Sequence, residues 1–324
     1  MAACGQPAGP DLSVTIAGVL FRNPVIAASG TFGYGREYAG LLDSSRLGGI
    51  CTKGLTLHPR AGNAGTRIHE TPAGLMNSIG LENPGIPAFI EKELPALRAL
   101  GPVVIANLSG STVEEYAEGA ALLNGTAIDM IELNISCPNV KAGGMAFGLE
   151  ADAAALVTGR VRGAAPDKPL MVKLSPNAPD ITAVARACVK AGADALSLVN
   201  TFKALAIDTR LRRPVFDNQS AGLSGPAVRP IALRMVWELW EALRVPGASM
   251  RAVPIVGMGG IAGTEDALEF LLAAAAAVQV GSASFANPRA MTEIIDGIAA
   301  YMTEHGLTHT GELSIRESQV IQQF

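Results

Sequence analysis

Eight short apolar runs, each bounded by turn residues, punctuate this chain: Pro24–Ser29, Gly48–Lys53, Pro102–Leu108, Met130–Ser136, Pro169–Ser175, Ala195–Thr201, Pro254–Gly260 and Ala277–Ala283. Their apolar residues are consecutive instead of alternating, so both faces are predicted buried, as in a parallel sheet covered on its outside. Between them lie segments with helical spacing, such as Ile86–Leu100, Thr112–Asn124, Asp180–Ala191, Pro226–Leu243 and Thr264–Ala276. Strands alternating with helices over roughly 260 residues predict an α/β fold, the (β/α)8 TIM barrel. A chain of 324 residues with 49% hydrophobic content can bury a core of that size.

An open, doubly wound sheet is the alternative, because Gly257-Met-Gly259-Gly-Ile-Ala262 fits the loose G-x-G-x-x-A pattern. That match lies late in the chain, and the next run ends in Gly281-Ser282 where a dinucleotide fold would carry an acidic residue. Glycine-bearing ends on the seventh and eighth strands are what a barrel uses to hold a phosphate on backbone N–H groups. A flavin mononucleotide or a phosphorylated substrate would suit them.

The polar residues of the eight runs gather at their C-terminal ends: Ser29, Lys53, Asn107, Asn134, Lys173, Asn200 and Thr201. Ser, Asn and Thr also cap helices, which would account for any one of them but not for the whole set. Two connections, roughly 54–86 after the second strand and 202–225 after the sixth, are longer than a simple βα loop and are predicted to be lids or binding elements. The first contains Asn77-Ser-Ile-Gly-Leu-Glu-Asn83, and the first strand is preceded by Leu12–Phe21, whose period and central glycine predict a hairpin closing the barrel's N-terminal end. The expected organisation is a loose tail over residues 1–11 and one barrel domain over 12–324.

Asn134-Ile-Ser-Cys137-Pro-Asn139 sets a thiol between two carboxamides at the end of the fourth run. Each asparagine offers a donor and an acceptor to a flat, amide-bearing ligand, and the cysteine can act as base or nucleophile. A buried structural cysteine followed by an ordinary Pro-Asn turn is the bland reading of the same residues. The four cysteines, 4, 51, 137 and 188, form no Cys-x-x-Cys pair and no metal-ligand spacing with the four histidines, so no metal site is expected. Cys188 falls on the apolar face of the helix Asp180–Ala191, and Cys51 lies in a strand; both read as core.

A formal net charge of −4 without a basic run excludes an electrostatic footprint for nucleic acid or an anionic membrane. The longest strongly apolar stretch, Phe270–Val278, is far short of the roughly 20 residues of a membrane span. The first ten residues lack the pattern of a signal peptide, so the cytoplasm is the expected compartment.

Taken together the motifs resemble dihydroorotate dehydrogenase from about Leu12 to the C-terminal helix. The resemblance rests on Ala28-Ser-Gly-Thr-Phe-Gly33, Thr52-Lys-Gly54, Asn77-Ser-Ile-Gly-Leu81, Asn134–Asn139, Val172-Lys-Leu-Ser175, Asn200-Thr201, Leu223-Ser-Gly-Pro-Ala227, Gly257-Met-Gly-Gly-Ile261 and Val278-Gln-Val-Gly-Ser282, in that order. Cys137 resembles the base of class 1, whereas class 2 carries serine there. Leu57–Asn63 and Val140–Gly144 resemble the heteromeric, NAD-linked class 1B. One departure is Ala273–Ala277, where the family pattern has a glycine and a serine.

The resemblance implies a flavoenzyme that oxidises dihydroorotate to orotate on FMN in pyrimidine biosynthesis, with Cys137 as the base. It assigns Ser29, Asn107, Lys173, Val199, Gly225, Gly259, Gly260, Gly281 and Ser282 to the flavin. Asn77, Ser78, Ile79, Gly80, Leu81, Asn139, Asn200 and Thr201 fall to the substrate, and Lys53 and Asn134 to both. A homodimer docking a subunit with FAD and a 2Fe-2S cluster is implied, since a barrel filling this chain leaves no room for either group. The alternatives are a dihydropyrimidine dehydrogenase-type component, against which Asn139 speaks because histidine is expected there, and a non-catalytic flavin- or phosphate-binding barrel.

Overall fold

The computed structural model describes residues 9–136, 147–244 and 253–315. The chain opens with a hairpin, β1 (Val14–Ile16) and β2 (Val19–Phe21), turned by Ala17 and Gly18 with φ of 50° and 83°. Two successive positive φ values match the twist of paired strands, which is why glycine sits at the second. The first barrel strands, β3 (Val25–Ala27) and β4 (Gly49–Cys51), follow. Next come β5 (Ile68–Thr71) and β6 (Gly74–Asn77), which stand outside the barrel. The barrel continues with β7 (Val103–Leu108), β8 (Met130–Asn134), β9 (Leu170–Lys173) and β10 (Ala195–Leu198). After β11 (Phe202–Leu205), β12 (Ile207–Asp208), β13 (Arg213–Pro214) and β14 (Ser220–Ser224), it is closed by β15 (Ile255–Met258) and β16 (Ala277–Val280). Among the described residues the eight barrel strands pair in parallel in chain order, with β16 returning to β3. This is the predicted (β/α)8 barrel.

All eight predicted runs hold a strand, and nearly all of them continue past its C-terminal end. The strands end at or just before the polar residues, where the chain leaves the sheet for the βα loops; Asn107, Asn134 and Lys173 are still paired in their ladders. Period-two alternation then sorts the interior. Outward residues such as Ile50, Val104, Ile131, Val172, Leu196 and Val278 are buried against the helices. Inward residues near the strand starts, Ile26, Ile105, Met130, Met171, Val256 and Ala277, pack with Ile16 and Phe21 of the hairpin into an apolar floor. Two residues further along the same faces stand Asn107, Glu132, Lys173, Ser197 and Gln279, all buried. The barrel interior therefore changes from apolar to polar within one turn of the pleat.

The helical layer begins with α1 (Ile86–Ala88), which passes through a π turn at Phe89–Glu93 into α2 (Leu94–Ala99). The helix predicted over Ile86–Leu100 is interrupted because Pro95 has no N–H to return to the preceding turn, and the wider π turn absorbs the lost bond. Next are α3 (Val113–Asn124), α4 (Ala151–Ala164), α5 (Ile181–Lys190), α6 (Arg229–Leu243), α7 (Thr264–Leu272), the short α8 (Ala283–Ala286) and α9 (Ala290–Glu304). Thr112 and Asp180 cap α3 and α5 by accepting the backbone N–H of Glu115 and Ala183 at 3.2 and 2.9 Å.

The two long connections are not structureless. They meet in an antiparallel sheet of order β11-β14-β6-β5, with Asn77 opposite Gly222 and Met76 opposite Leu223. Met76, Phe216 and Ala221 form its small apolar core. This sheet lies over the C-terminal end of the barrel.

The opposite end is fastened by Arg162 of α4, which donates to the carbonyls of Gly192 at 3.0 Å and Lys168 at 2.9 Å and forms an ion pair with Asp194. Asp194 also accepts the N–H of Leu170 at 3.0 Å, so one side chain ties a helix end to the starts of two strands. Replacing Arg162 by Met removes these contacts, with Asp194 keeping the Leu170 N–H, and is expected to cost about 1–3 kcal/mol. Thermal unfolding should detect the loss, while ligand affinity at the far end of the barrel stays unchanged.

Candidate active site

A cavity of about 250 Å³ opens where the barrel strands end beneath the four-stranded sheet. From the barrel it is lined by Ser29, Lys53, Asn107, Asn134 and Lys173, by Val199, Asn200 and Thr201, and by the two glycine-bearing ends Gly259-Gly260 and Gly281-Ser282. Asn77, Ile79, Gly80 and Leu81 line it from the connection after β6. Two further predicted residues do not line it. Ser78 is buried behind it, its Oγ within 3.0 Å of Asn63 Nδ2 and 3.2 Å of Asn218 Nδ2. Gly225 packs on Gly74, where an added Cβ would come within 2.5 Å of Cα. Cys137 and Asn139 lie outside the described residues.

Directly beneath the cavity lining stands Glu132, fully buried and central to the polar layer. Its Oε1 accepts Asn107 Nδ2 at 2.7 Å and the Cys51 thiol at 3.5 Å, with Lys173 Nζ 3.7 Å away. Its Oε2 accepts Gln279 Nε2 at 2.6 Å and Ser197 Oγ at 3.1 Å. A carboxylate only accepts, and every partner here donates, so the assignment of each amide follows from this one group. Asn107 turns its NH2 down to Glu132, and its Oδ1 takes Asn134 Nδ2 at 3.4 Å. Asn134 Oδ1 in turn accepts from Ser136 Oγ at 2.8 Å and from Asn200 Nδ2 at 3.4 Å. Tyr116 of α3 fixes the strand end by donating to the Asn134 carbonyl at 2.7 Å.

The two site lysines are in different electrostatic states. Lys173 is 5% exposed, faces Glu132 and donates to Ser29 Oγ at 3.2 Å. Lys53 is half-buried in the cavity wall and has no side-chain partner among the described residues. The cavity thus holds one compensated cation and one available for an anionic ligand. The described cysteines are unsuited to thiolate chemistry: burial, then the Glu132 charge, push the Cys51 thiol well above its ordinary range, and burial raises Cys188 to about 11. Among the described residues no group of His, Cys, Asp or Glu is arranged to hold a metal ion.

The family model for dihydroorotate dehydrogenase matches residues 11–302. This chain belongs to the dihydroorotate dehydrogenase family. Among its relatives, the dihydroorotate dehydrogenase B (NAD(+)) catalytic subunit of Petrotoga mobilis is 57% identical over 94% of this chain and 98% of that protein. The proteins of the same description from Geotalea daltonii and Geotalea uraniireducens are 53% and 52% identical, over 94% of this chain and 98% and 97% of theirs.

In this dihydroorotate dehydrogenase family member, Gln279 lines the cavity and Glu132 lies directly beneath it, although the sequence motifs assign neither a role and Gln279 enters only as part of the Val278–Ser282 motif. The signal available was a lone Glu within Met130-Ile-Glu-Leu and a lone Gln within Ala277-Val-Gln-Val, each a polar group in a strand otherwise buried.

The glycines separate into two kinds. Gly260 has φ of +79°, and an added Cβ would lie 2.6–2.9 Å from the Cβ and backbone of Arg229, so α6 itself requires glycine there. Gly281 has ordinary φ, and an added Cβ would meet nothing closer than 3.6 Å. Gly260→Ala is therefore expected to lower the melting temperature by several degrees, whereas Gly281→Ala should melt with the parent chain. Differential scanning calorimetry of the two variants checks this.

Proposed function

We propose that this chain is the FMN-dependent catalytic subunit that oxidises dihydroorotate to orotate on the route to UMP. The observation that carries the reading is one cavity, in a member of this family, that gathers Lys53, without a side-chain partner among the described residues, with the carboxamides of Asn77, Asn134 and Asn200. A charged carboxylate beside a ureide ring matches a cation flanked by amides.

The dihydroorotate dehydrogenase family is FMN-dependent in general, and the residues present suit a flavin. Gln279 Oε1 is a buried acceptor with no partner among the described residues, on a side chain that lines the cavity, and a heterocyclic N–H would satisfy it. The open space at Gly281 leaves backbone accessible beside Ser282. In this reading Ser29, Asn107, Lys173, Val199, Gly259, Gly260, Gly281 and Ser282 hold the flavin, with Gly225 behind the lining where it packs on Gly74. Asn77, Ile79, Gly80, Leu81, Asn139, Asn200 and Thr201 hold the substrate, with Ser78 supporting their segment from behind and Lys53 and Asn134 serving both. Bound FMN supplies the acceptor for the C6 hydride. Cys137 removes the C5 proton, Lys53 binds the carboxylate, and the asparagines orient the ring by its amide edges. The four-stranded sheet excludes water above them.

The proton abstracted at C5 needs a thiolate, so the rate should rise with pH as Cys137 deprotonates. Cys137→Ala should keep its flavin and lose dihydroorotate oxidation by roughly 10²–10⁴-fold. Flavin absorbance and steady-state rates with an artificial acceptor read the two effects separately, and near-normal oxidation by the variant would remove Cys137 from the chemistry.

The relatives are described as NAD(+)-linked catalytic subunits. We infer that this chain forms a homodimer that passes electrons to a second subunit carrying FAD and a 2Fe-2S cluster. Alone it should reduce dyes but not NAD, and adding the partner should confer NAD reduction. Efficient NAD reduction by the isolated chain, or fumarate reduction at comparable rates, would overturn the NAD-linked assignment. Among the described residues no helix is long and apolar enough to cross a membrane.

A further inference from the structure

Gln279 is 1% exposed and donates its NH2 to Glu132 Oε2 at 2.6 Å, which leaves its Oε1 unpartnered among the described residues. The opposite orientation would set two oxygens against each other, so the carboxylate decides which end of the amide is free. The same carboxylate faces the ammonium of Lys173 and anchors Asn107, from which the amides of Asn134 and Asn200 take their direction. Among the described residues that line the cavity, Gln279 Oε1 is the one buried side-chain acceptor without a partner; the unpartnered hydroxyls of Tyr34, Ser109 and Ser284 lie outside the lining. An orphaned acceptor of this kind costs free energy until a donor meets it.

We propose that Glu132 is a positioning residue that locks Gln279 with its carboxamide oxygen as an obligatory acceptor, so that the cavity floor selects a ring bearing an N–H. The inference rests on the flavin and dihydroorotate reading for its two candidate donors, the imide N–H of the flavin and a ureide N–H of the substrate. Their shared chemistry is a cyclic amide N–H, and separate titrations distinguish them.

Glu132→Gln is nearly isosteric and makes the logic testable. Lys173 and Asn107 both donate toward the Oε1 side, so the new carboxamide must keep its oxygen there and place its NH2 where Oε2 stood. Gln279 then meets a donor and has to flip, turning the floor acceptor into a donor. In the exchanged variant Glu132→Gln/Gln279→Glu, the carboxamide at 132 still accepts from Asn107 and donates across the pair, while the carboxylate at 279 again offers an acceptor. Charge and polarity are both restored with two atoms exchanged.

The test is calorimetric titration of the wild-type apoprotein, Glu132→Gln and the exchanged variant with FMN, and of each FMN-loaded protein with orotate, beside their melting temperatures. Affinity for the ligand that donates the N–H should fall on the order of 10- to 100-fold in Glu132→Gln and recover in the exchanged variant. A fall with FMN assigns the donor to the flavin; a fall with orotate alone assigns it to the substrate. Equal affinities in wild type and Glu132→Gln, or a loss that the exchanged variant does not recover, would overturn the inference and reduce Glu132 to a structural carboxylate. If Glu132→Gln does not fold, the exchanged variant alone decides, since wild-type-like binding by it supports the proposal and failure to bind opposes it. Wild-type protein that binds neither FMN nor orotate would instead overturn the functional reading and the inference together.

Discussion

A buried carboxylate that receives only donors governs this molecule's interior. Removing the Glu132 charge from water is costly, and the structure offsets that cost with two amides, two weaker donors and the ammonium of Lys173. Each of those partners sits on a different barrel strand: Cys51 on β4, Asn107 on β7, Lys173 on β9, Ser197 on β10 and Gln279 on β16. The carboxylate therefore constrains the closed barrel from within, just above an apolar floor where packing alone does so. Its donors are shared between both oxygens, and the amides of Asn107 and Gln279 are directed by it, which is why the layer can aim its remaining polar atoms.

From that layer upward, structure becomes chemistry by small steps. Directed amides run from Asn107 through Asn134 to Asn200, and the strand ends deliver one neutralised lysine and one unneutralised lysine. The covering sheet brings Asn77 down from a different part of the chain. Its two halves come from connections 145 residues apart, joined where Asn77 Nδ2 reaches the Gly222 carbonyl. A site assembled this way suits an anion with a hydrogen-bonding ring, and a covered cavity is the environment that hydride and proton removal require.

Much of this was legible in the residues. Continuous apolar runs between helices have few solutions besides a parallel barrel, and polar residues at the run ends mark the face where barrels do chemistry. What escaped sequence reading depended on distance in the chain. Glu132 looks like one polar residue in an apolar strand until five other strands bring it donors. The covering sheet was read as two long loops because its strands hold only four or five residues each and pair across the two connections, so their meaning lies in pairing, not in local periodicity. Ser78 and Gly225 come with motifs whose neighbours line the cavity, yet one faces Asn63 and the other packs on Gly74. The break at the π turn followed from Pro95, whose effect a helical-spacing argument averages away.

The most direct measurement is the reductive half-reaction of the isolated chain: FMN-loaded protein mixed anaerobically with dihydroorotate, with flavin absorbance followed by stopped flow. The account predicts one FMN per chain, bleached in a single turnover with orotate released in equal amount. A chain that takes up no flavin, or a bound flavin that dihydroorotate leaves oxidised, would contradict it.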